Sequence, residues 1–397
     1  MISPSEALEI VLGEARRLEA VFVPLAEALG GVLAEAAVAD SDLPPFDKSA
    51  MDGYAVRAAD VARLPADLAV IEELPAGQAP SRLLAPGTCA KIMTGAPVPA
   101  GADLVVPVED TERLPDGRVR ILRASPDRRH ICPRGEDVRC GAAVLEAGRV
   151  LRPQEIGLLA SVGRDRVPVY RRPRVAVLAT GEELVPVSAV PGPGQIRNVN
   201  SSSLLACCCA AGVAADDLGV ARDEKTDLRA KIAEGLTRDV LIVSGGVSMG
   251  EWDFVPKVFE EAGVAVRFAT VRMKPGKPTV FGTCGGRLVF GLPGNPVSTL
   301  VGFRWFVWPA LRKMMGHPEP APQPLDARLL VPVKVRDDRT TFVPAVLRGE
   351  PGGWAVTPVM THGPADLVGF SKVDGLIILE PGDYEAGAQV KALPLDF

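Results

Sequence analysis

The chain has 397 residues, 47% of them hydrophobic, and a formal net charge of −5 at pH 7. This length exceeds what one hydrophobic core normally serves and predicts two to four domains. The acidic balance argues against a general nucleic-acid-binding protein, and an anionic ligand would need locally concentrated Lys and Arg.

Residues 3–30 have the pattern of a helix. Ser3 and Glu6 stand at capping-box spacing, with Pro4 in the first turn. Apolar residues recur with helical period until Gly30-Gly31 ends the run. The spacing therefore predicts an N-terminal helical region.

Residues 45–140 have a different sequence pattern, in which short strand-like segments are separated by Pro and Gly. Asp116-Gly117 stands between apolar runs and predicts a hairpin. Residues 151–163 are again helical in pattern. We therefore predict a β domain, 45–140, inserted in a helical region made of 1–44 and 141–168.

From residue 171 onward, apolar strands alternate with helices, which predicts a doubly wound parallel sheet within 169–317. A long helix is expected from Pro296 to about Met315. Residues 318–324 form a Pro-rich linker, and the short strands of 325–397 predict a small β-barrel or sandwich.

Three polar, Gly-containing loops follow strands of the predicted sheet: 180–183, 244–253 and 291–296. Ligands of open α/β sheets bind at the carboxyl ends of the strands, where backbone amides of helix N-termini favour phosphate. One such loop is equally well explained as a good turn, but three on one sheet edge predict a binding crevice. Neither GxxxxGK[ST] nor GxGxxG occurs in these loops, which disfavours a P-loop or a standard dinucleotide site.

The stretch MKPGKP, 273–278, places Lys274 and Lys277 on a turn stiffened by prolines. Two ammonium groups on such a turn suit an oxyanion, although a solvated basic hairpin would look the same. The position directly after an apolar strand favours the oxyanion site.

Acidic residues complement these lysines. Glu183 and Asp253 lie on the predicted sheet-edge loops, and Asp223 is close in sequence to the same edge. Together with phosphate oxygens they would form the oxygen-only shell that Mg²⁺ prefers. Each of these acids is otherwise an ordinary surface charge.

The seven cysteines indicate no disulfide framework, because their number is odd and 207–209 are contiguous. The N-terminus lacks a basic segment before an apolar core, so no signal peptide is predicted. The most apolar helix candidate, 300–311, is interrupted by Arg304 and Pro309 and is too short to span a bilayer. These features predict a cytoplasmic protein with neither membrane nor nucleic-acid partners.

Seven motifs in this order resemble one known family, the molybdopterin molybdenumtransferases (the MoeA and gephyrin E-domain family). They are PPFDKSAMDGYAVRAAD, KIMTGAPVP, GEDV, ATGEEL, VSGGVSMGEWDFV, MKPGKPTVFG and GLPGNPVSTL. The resemblance covers essentially the whole chain. It implies insertion of molybdate into adenylylated molybdopterin, with Mg²⁺ and release of AMP. It also implies a MogA-like α/β domain and an elongated N-terminal region that forms a homodimer. Other cofactor-synthesis enzymes and molybdoenzymes are the further partners it implies.

The resemblance also implies an active site shared between subunits. The inserted β domain of one subunit would contribute Asp52, Thr94 and Asp137. The α/β domain of the other would line the pterin-phosphate and molybdate site with Glu183, Asp223, Gly245, Gly246, Ser248, Asp253, Lys274, Lys277, Pro293 and Pro296. Of these, Asp253 and Glu183 are the expected metal ligands.

The chain departs from the family pattern at two places. Relatives often carry a basic residue where this chain has Thr270, and Arg272 is the nearest substitute. Many relatives have a Ser-Gly pair where this chain has residues 361–366, so Thr361 or His362 would take the place of that serine.

Two alternative functions follow from the same residues. A molybdopterin adenylyltransferase would favour a Gly-Gly-Thr-Gly loop, whereas this chain has Gly245-Gly246-Val247-Ser248. A non-enzymatic, gephyrin-like scaffold would not need the acids and lysines that are present. Both features favour the molybdate-inserting enzyme.

Overall fold

The computed structural model describes residues 1–125, 127–222, 224–247 and 255–395. Asp223, Ser248 and Asp253 therefore lie outside the described residues. The chain forms two compact units. The first comprises residues 1–23, 30–34 and 168–397, and the second comprises 24–29 and 35–167. The finer division into four regions stays a prediction.

The N-terminal helix is shorter than the sequence pattern predicts. It spans Pro4–Glu14, and its capping box is present: the Ser3 side chain accepts from the Glu6 amide, and the Glu6 carboxylate accepts from the Ser3 amide. The predicted continuation to residue 30 is wrong, because Ala20–Pro24 is a strand. Its β-branched and aromatic residues favour extended structure, and Pro24 cannot continue a helix.

The second unit is built on a six-stranded, mostly antiparallel sheet. Its strands, in spatial order, are Leu104–Pro107, Gly53–Val56, Thr88–Ile92, Ala66–Leu74, Val119–Ile121 and Thr111–Arg113. The last two form the hairpin predicted at Asp116-Gly117, with Gly117 at φ 87°. Two smaller ladders pair Lys48–Ser49 with Ile131–Cys132 and Ala37–Val38 with Ala143–Leu145. The helix predicted at 151–163 spans Pro153–Ser161.

The first unit contains a second six-stranded sheet, which we call the central sheet. In spatial order its strands are Ala215–Ala221, Val175–Thr180, Val240–Ser244, Arg287–Leu292, Val280–Cys284 and Ala265–Phe268. The first four are parallel, which confirms the predicted parallel arrangement, although Ala215–Ala221 was not predicted as a strand. Val280–Cys284 is antiparallel to both of its neighbours, so the prediction of a fully parallel sheet is wrong. Gly285 and Gly286, both at positive φ, form the two-residue turn that reverses the chain.

Helices cover both faces of the central sheet. Val177 and Ile242 pack in one apolar cluster with Leu204 of the helix Val199–Ala210. The alternating residues Leu178 and Val243 pack in another cluster, with the helices Lys225–Gly235 and Val255–Glu261. This alternation explains why the strands are continuous apolar runs rather than alternating ones. The predicted doubly wound arrangement is confirmed.

The long helix predicted from Pro296 to Met315 is present. It consists of Pro296–Gly302, a π-helical segment at Phe303–Val307 and Trp308–Met314. Buried aromatic residues on it, among them Phe303 and Phe306, belong to the cluster beneath the central sheet. Among the described residues, no helix has the length and apolar character needed to cross a membrane.

The C-terminal region forms a closed five-stranded barrel, as predicted. Each strand hydrogen-bonds to two others in the ring, and the order returns to the first strand. In ring order the strands are Thr340–Glu350, Gly353–Pro358, Leu325–Leu329, Gln389–Pro394 and Gly375–Leu379. A short helix, Leu367–Phe370, precedes the strand Gly375–Leu379.

Candidate functional site

The described parts of the three predicted loops meet at one edge of the central sheet. They follow Val175–Thr180, Val240–Ser244 and Arg287–Leu292, which are adjacent and parallel. Their carboxyl ends therefore lie side by side, as the prediction requires. The loops border a cavity of about 210 Å³, which we call the sheet-edge crevice. Its walls include Thr180, Gly181, Glu183, Asn200, Ser244, Gly245, Gly246 and Gly294.

The two glycines after Ser244 are required by close packing. Gly245 and Gly246 adopt φ of 94° and 63°. A Cβ on Gly245 would lie 2.6 Å from the Thr180 carbonyl oxygen, and one on Gly246 would lie 2.8 Å from the Thr180 hydroxyl. No side chain fits either position without displacing the neighbouring strand end. The Gly-Gly pair thus brings two loops into contact and shapes the crevice floor.

Two buried oxygen atoms in the crevice wall lack a partner within the described residues. Thr180 is 6% exposed and Asn200 is 9% exposed, and neither Thr180 Oγ1 nor Asn200 Oδ1 makes a hydrogen bond there. The Asn200 amide group donates both hydrogens, to Ser244 Oγ at 2.8 Å and to the Gly294 carbonyl at 2.7 Å. This fixes the amide so that Oδ1 remains available. Such atoms are costly to bury unless a ligand, ion or water satisfies them.

Glu183 supplies the charge in the described part of the crevice. Its side chain is exposed, and its carboxylate lies against Gly181, where a Cβ would stand 2.5 Å from Oε2. Gly181 therefore makes room for the acid.

The crevice presents oxygen donors to a cation. The candidate atoms on its described wall are the Glu183 carboxylate, Thr180 Oγ1, Asn200 Oδ1 and the Ser244 hydroxyl. This donor set suits Mg²⁺, which prefers hard oxygen ligands and retains several waters. Among the described residues, no group of three His, Cys, Asp or Glu side chains is arranged to hold a metal ion by itself. The other predicted ligand, Asp253, lies outside those residues.

Lys274 and Lys277 line a separate cavity of about 490 Å³, which we call the lysine cavity. Met273–Lys274 pairs with the barrel strand Thr340–Glu350 and not with the central sheet. The turn follows the sheet strand Ala265–Phe268 but is held by the barrel. Consequently, residues of the barrel region also line the cavity: Arg339, Thr341, Phe342, Val343 and Pro344.

One loop contributes to both cavities. Pro293 and Asn295 line the lysine cavity, and Gly294 lines the sheet-edge crevice. Buried hydroxyls hold this loop, because the Pro293 carbonyl accepts from Thr299 Oγ1 at 2.5 Å and from Ser244 Oγ at 3.3 Å. Pro296 begins the long helix directly after the loop. Ligands in the two cavities would thus contact neighbouring residues of one backbone segment, 293–295.

Charged groups are concentrated at the lysine cavity. Asp337 accepts two hydrogen bonds from the Arg339 guanidinium, both at 2.5 Å, and its Oδ2 lies 3.4 Å from Lys274 Nζ. These contacts, chiefly those from Arg339, hold the pKa of Asp337 well below its usual range. Arg339, in turn, has its pKa raised by Asp337.

The divergent segment 361–366 lies at the same cavity. Thr361, Gly363 and Pro364 line it. The His362 side chain is 99% exposed and lies 3.2 Å from Asp366, which caps the helix Leu367–Phe370. Of the two candidate replacements for the family serine, Thr361 therefore lies in the cavity wall. Arg272, the proposed basic substitute, is not one of the lining residues.

In the second unit the structure brings Asp52 and Thr94 together. The Thr94 amide and hydroxyl both donate to Asp52 Oδ1 at 2.7 Å. These two bonds, first the amide and then the hydroxyl, hold the pKa of Asp52 below its usual range. Gly53 starts a strand, and a Cβ added to it would lie 2.0 Å from the Val106 carbonyl oxygen. The glycine beside the acid thus permits close strand packing.

Asp137 lies on a different segment of the same unit. Its side chain is exposed, and its amide donates to the Leu43 carbonyl at 2.9 Å, just before the segment that carries Asp52.

Sequence reasoning missed Thr180, Asn200, Asp337 and Arg339. The last two belong to the C-terminal barrel and reach the lysine turn only through the pairing of Met273–Lys274 with Thr340–Glu350. No spacing in the sequence signals that pairing. Thr180 stands in the quoted ATGEEL motif, but its buried, unsatisfied hydroxyl becomes evident only from packing.

Three family models match successive parts of the chain. The MoeA N-terminal region (domain I and II) matches residues 2–163, a probable molybdopterin binding domain matches 176–313, and the MoeA C-terminal region (domain IV) matches 326–395. Molybdopterin molybdenumtransferase 2 of Mycobacterium tuberculosis is 38% identical over 410 residues and covers 100% of both chains. This chain belongs to the molybdopterin molybdenumtransferase family. It is thus an enzyme of molybdenum cofactor biosynthesis that acts in molybdenum insertion.

Other members of the family agree in length and fold. The molybdopterin molybdenumtransferase of Bacillus subtilis is 35% identical, over 99% of this chain and 94% of its own. A crystal structure of the molybdopterin biosynthesis MoeA protein from Pyrococcus horikoshii matches with a TM-score of 0.81 and 29% identity, over 99% of this chain and 100% of that one. The family fold therefore extends over the whole chain.

Proposed function

We propose that this enzyme inserts molybdate into adenylylated molybdopterin, with Mg²⁺-dependent release of AMP, and that the two cavities hold the two substrates. The lysine cavity binds molybdate, and the sheet-edge crevice binds the phosphate-bearing pterin ligand. The observation that carries this proposal is the loop 293–295, which lines both cavities. Two ligands on one loop would place the reacting groups near each other.

The charge of the lysine cavity supports the molybdate assignment. Lys274, Lys277 and Arg339 line it in a chain whose net charge is −5. Molybdate is a tetrahedral dianion, and capture from water requires such a local positive field. Ammonium and guanidinium donors also form charge-assisted hydrogen bonds to oxyanions. These groups would hold molybdate while the dithiolene sulfurs of molybdopterin replace its oxygens.

The crevice supports the assignment of the second substrate. Gly245 and Gly246 allow close backbone approach, and the helix Val199–Ala210 begins beside Asn200 at the crevice wall. Helix starts of this kind favour phosphate. Mg²⁺, when bound, would neutralise charge on the phosphoanhydride, and Glu183, Thr180 Oγ1 and Asn200 Oδ1 are the described atoms suited to hold it. Ser248, Asp223 and Asp253 are proposed to complete the site. This reaction needs no covalent enzyme nucleophile.

The proposal includes a cytoplasmic homodimer with shared active sites. Asp52, Thr94 and Asp137 of one subunit would act with Glu183, Lys274 and Lys277 of its partner. The support for this arrangement is the resemblance to the family and the presence of acids in a unit separate from the two cavities. Other cofactor-synthesis enzymes and recipient molybdoenzymes are the proposed further partners.

The test separates the two ligands. In Lys274→Met protein, molybdate and adenylylated molybdopterin are titrated independently, and cofactor and AMP are measured as products. We expect the half-saturating molybdate concentration to rise about 10- to 100-fold, because a charged hydrogen bond contributes about 1.5–3 kcal/mol. Excess molybdate should partly restore the rate.

The matched control is Lys334→Met. Lys334 is an exposed lysine of the same unit that does not line the cavity, so the variant makes the same charge change elsewhere. If Lys274→Met weakens only the affinity for adenylylated molybdopterin, this lysine binds the phosphate of that substrate and not molybdate. Unchanged curves for both ligands would reject the oxyanion site.

A further inference from the structure

The charged cluster beside the lysine cavity contains a carboxylate in addition to its cations. Asp337 Oδ1 accepts from Arg339 Nε, and Oδ2 accepts from Arg339 Nη2, each at 2.5 Å. Lys274 Nζ lies 3.4 Å from the same Oδ2. The Asp337 side chain is 18% exposed, less than Arg339 or Lys274 at 23% and 54%. Asp337 is therefore the least exposed of the three side chains, and it contacts both cations.

The edge of Arg339 that Asp337 occupies is the one best suited to an oxyanion. The Nε and Nη2 hydrogens form a planar fork that matches two oxygens of a carboxylate, phosphate or similar ion. While Asp337 occupies this fork, the guanidinium donors that remain for a ligand in the cavity are the two Nη1 hydrogens and the second Nη2 hydrogen. A tetrahedral dianion can therefore use the Nε–Nη2 fork only when Asp337 is displaced from it.

Charge leads to the same conclusion. Lys274, Lys277 and Arg339 contribute three positive charges to the cavity wall. The negative charge of Asp337 offsets one of these charges. Electrostatic repulsion between a carboxylate and an incoming dianion weakens binding of that dianion, and partial burial limits the screening by salt.

We propose that Asp337 is an internal competitor that limits the affinity of the lysine cavity for molybdate and similar tetrahedral dianions. The inference rests on the proposed function, because it requires that this cavity takes the oxyanion. Asp337 is then an affinity-determining residue for the oxyanion substrate: it weakens retention of the anion while keeping Arg339 and Lys274 at the cavity wall.

A structural role for Asp337 has to be separated from this one. Its Oδ1 also accepts from the Arg339 amide at 3.2 Å, which stabilises the turn before Thr340–Glu350. Asp337→Asn retains an acceptor for that amide and for the guanidinium but removes the charge. Asp337→Ser is the second variant, since its hydroxyl can also accept from the Arg339 amide. Melting temperatures show which variants fold.

Asp338→Asn is the matched control. Asp338 is exposed, and it raises the pKa of Arg339 through its charge, whereas Asp337 raises that pKa through a hydrogen bond as well as its charge. Both Asn variants change the net charge by the same amount. They differ in whether the carboxylate that contacts the guanidinium is removed.

The experiment measures binding of inorganic molybdate to the full-length protein by equilibrium dialysis, in wild type and in the Asp337→Asn, Asp338→Asn and Lys274→Met variants. We expect Asp337→Asn to bind about tenfold more tightly, whereas Asp338→Asn stays within about twofold of wild type. In turnover, Asp337→Asn should lower the half-saturating molybdate concentration without raising the rate at saturation.

The outcomes separate the two proposals. If Lys274→Met weakens molybdate binding but folded Asp337→Asn binds no more tightly than wild type, Asp337 only positions the cations and this inference fails alone. If wild type and Lys274→Met bind molybdate equally, the oxyanion cavity itself is refuted. Equal tightening in Asp337→Asn and Asp338→Asn would assign the effect to net charge and overturn the competitor role.

Discussion

Asp52 shows how two local hydrogen bonds set the state of one acid. The side chain is exposed, so burial does little to its ionisation. Its carboxylate accepts from the Thr94 amide and hydroxyl, and both bonds favour the charged form. The Thr94 amide is presented by a turn in which the Ala96 amide donates to the Met93 carbonyl and Gly95 takes φ 85°. Asp52 is thereby kept ionised and oriented by these two donors, and no cationic side chain among the described residues pairs with it.

Replacing Thr94 by Val should raise the pKa of Asp52 toward its ordinary value, because the hydroxyl donor is lost. The shift should be partial, since the Thr94 amide still donates. The Asp52 carboxyl carbon, followed by NMR during an acid titration, reports the change. Thr88→Val is the control. Thr88 begins the strand Thr88–Ile92, and its hydroxyl donates to the Ala85 carbonyl rather than to Asp52. An Asp52 pKa that stays equally low in both variants would contradict the role assigned to the Thr94 hydroxyl.

The strand ends of the central sheet explain the shape of the crevice. Val175–Thr180 and Val240–Ser244 are adjacent and parallel, so their loops leave the sheet side by side. Gly245 and Gly246 then pass close to Thr180 in a left-handed conformation. A residue with a side chain would have to move the loop, and with it the oxygen atoms of Thr180 and Asn200. The crevice thus depends on contact between two element ends rather than on either loop alone.

Gly245→Ala should destabilise the protein by about 2–4 kcal/mol, because it combines an unfavourable φ with a steric clash. The comparison is Gly263→Ala, at φ 78° and with nothing within 4 Å of the added Cβ, which should cost only about 1 kcal/mol. Urea unfolding of both variants measures the difference. Equal losses would show that the contact with Thr180 contributes nothing beyond the backbone strain.

The two units divide the candidate site residues between them. Asp52, Thr94 and Asp137 belong to the second unit, whereas both cavities are built entirely from the first. An enzyme that uses both groups needs them at one reaction centre. In the proposed homodimer, different subunits supply them, so each active site would require two chains.

Mixing Asp52→Ala and Lys274→Met proteins tests this arrangement. Each variant alone should be nearly inactive at low molybdate, and the heterodimer should contain one intact site. Random exchange at equal concentrations would restore about a quarter of the wild-type sites. Two different affinity tags verify the exchange, and cofactor formation is the readout. Verified heterodimers without recovered activity would exclude a site shared in this way.

Local sequence patterns predicted the elements whose formation depends on neighbouring residues. The capping box at Ser3 and Glu6, the hairpin at Asp116-Gly117 and the start of the long helix at Pro296 all lie where expected. The N-terminal helix was predicted too long, because apolar residues of the strand Ala20–Pro24 continue a helical period by coincidence. The antiparallel strand Val280–Cys284 was missed, although Gly285-Gly286 is a recognisable hairpin turn.

The order of strands, helices and loops along the chain is a local property, so the amino-acid pattern alone was enough to place three polar loops at one sheet edge. The motif resemblance likewise led to the family without any coordinates. The residues that contact those loops could not be predicted in this way. Asp337 and Arg339 meet Lys274 because a barrel strand pairs with the lysine turn, and Thr180 meets Gly245 because two strand ends pack together. Such contacts join residues distant along the chain, and their energies depend on burial and on spacing of a few ångströms. Folding in three dimensions therefore separated the lysine cavity from the sheet-edge crevice and placed a competing carboxylate beside the cations.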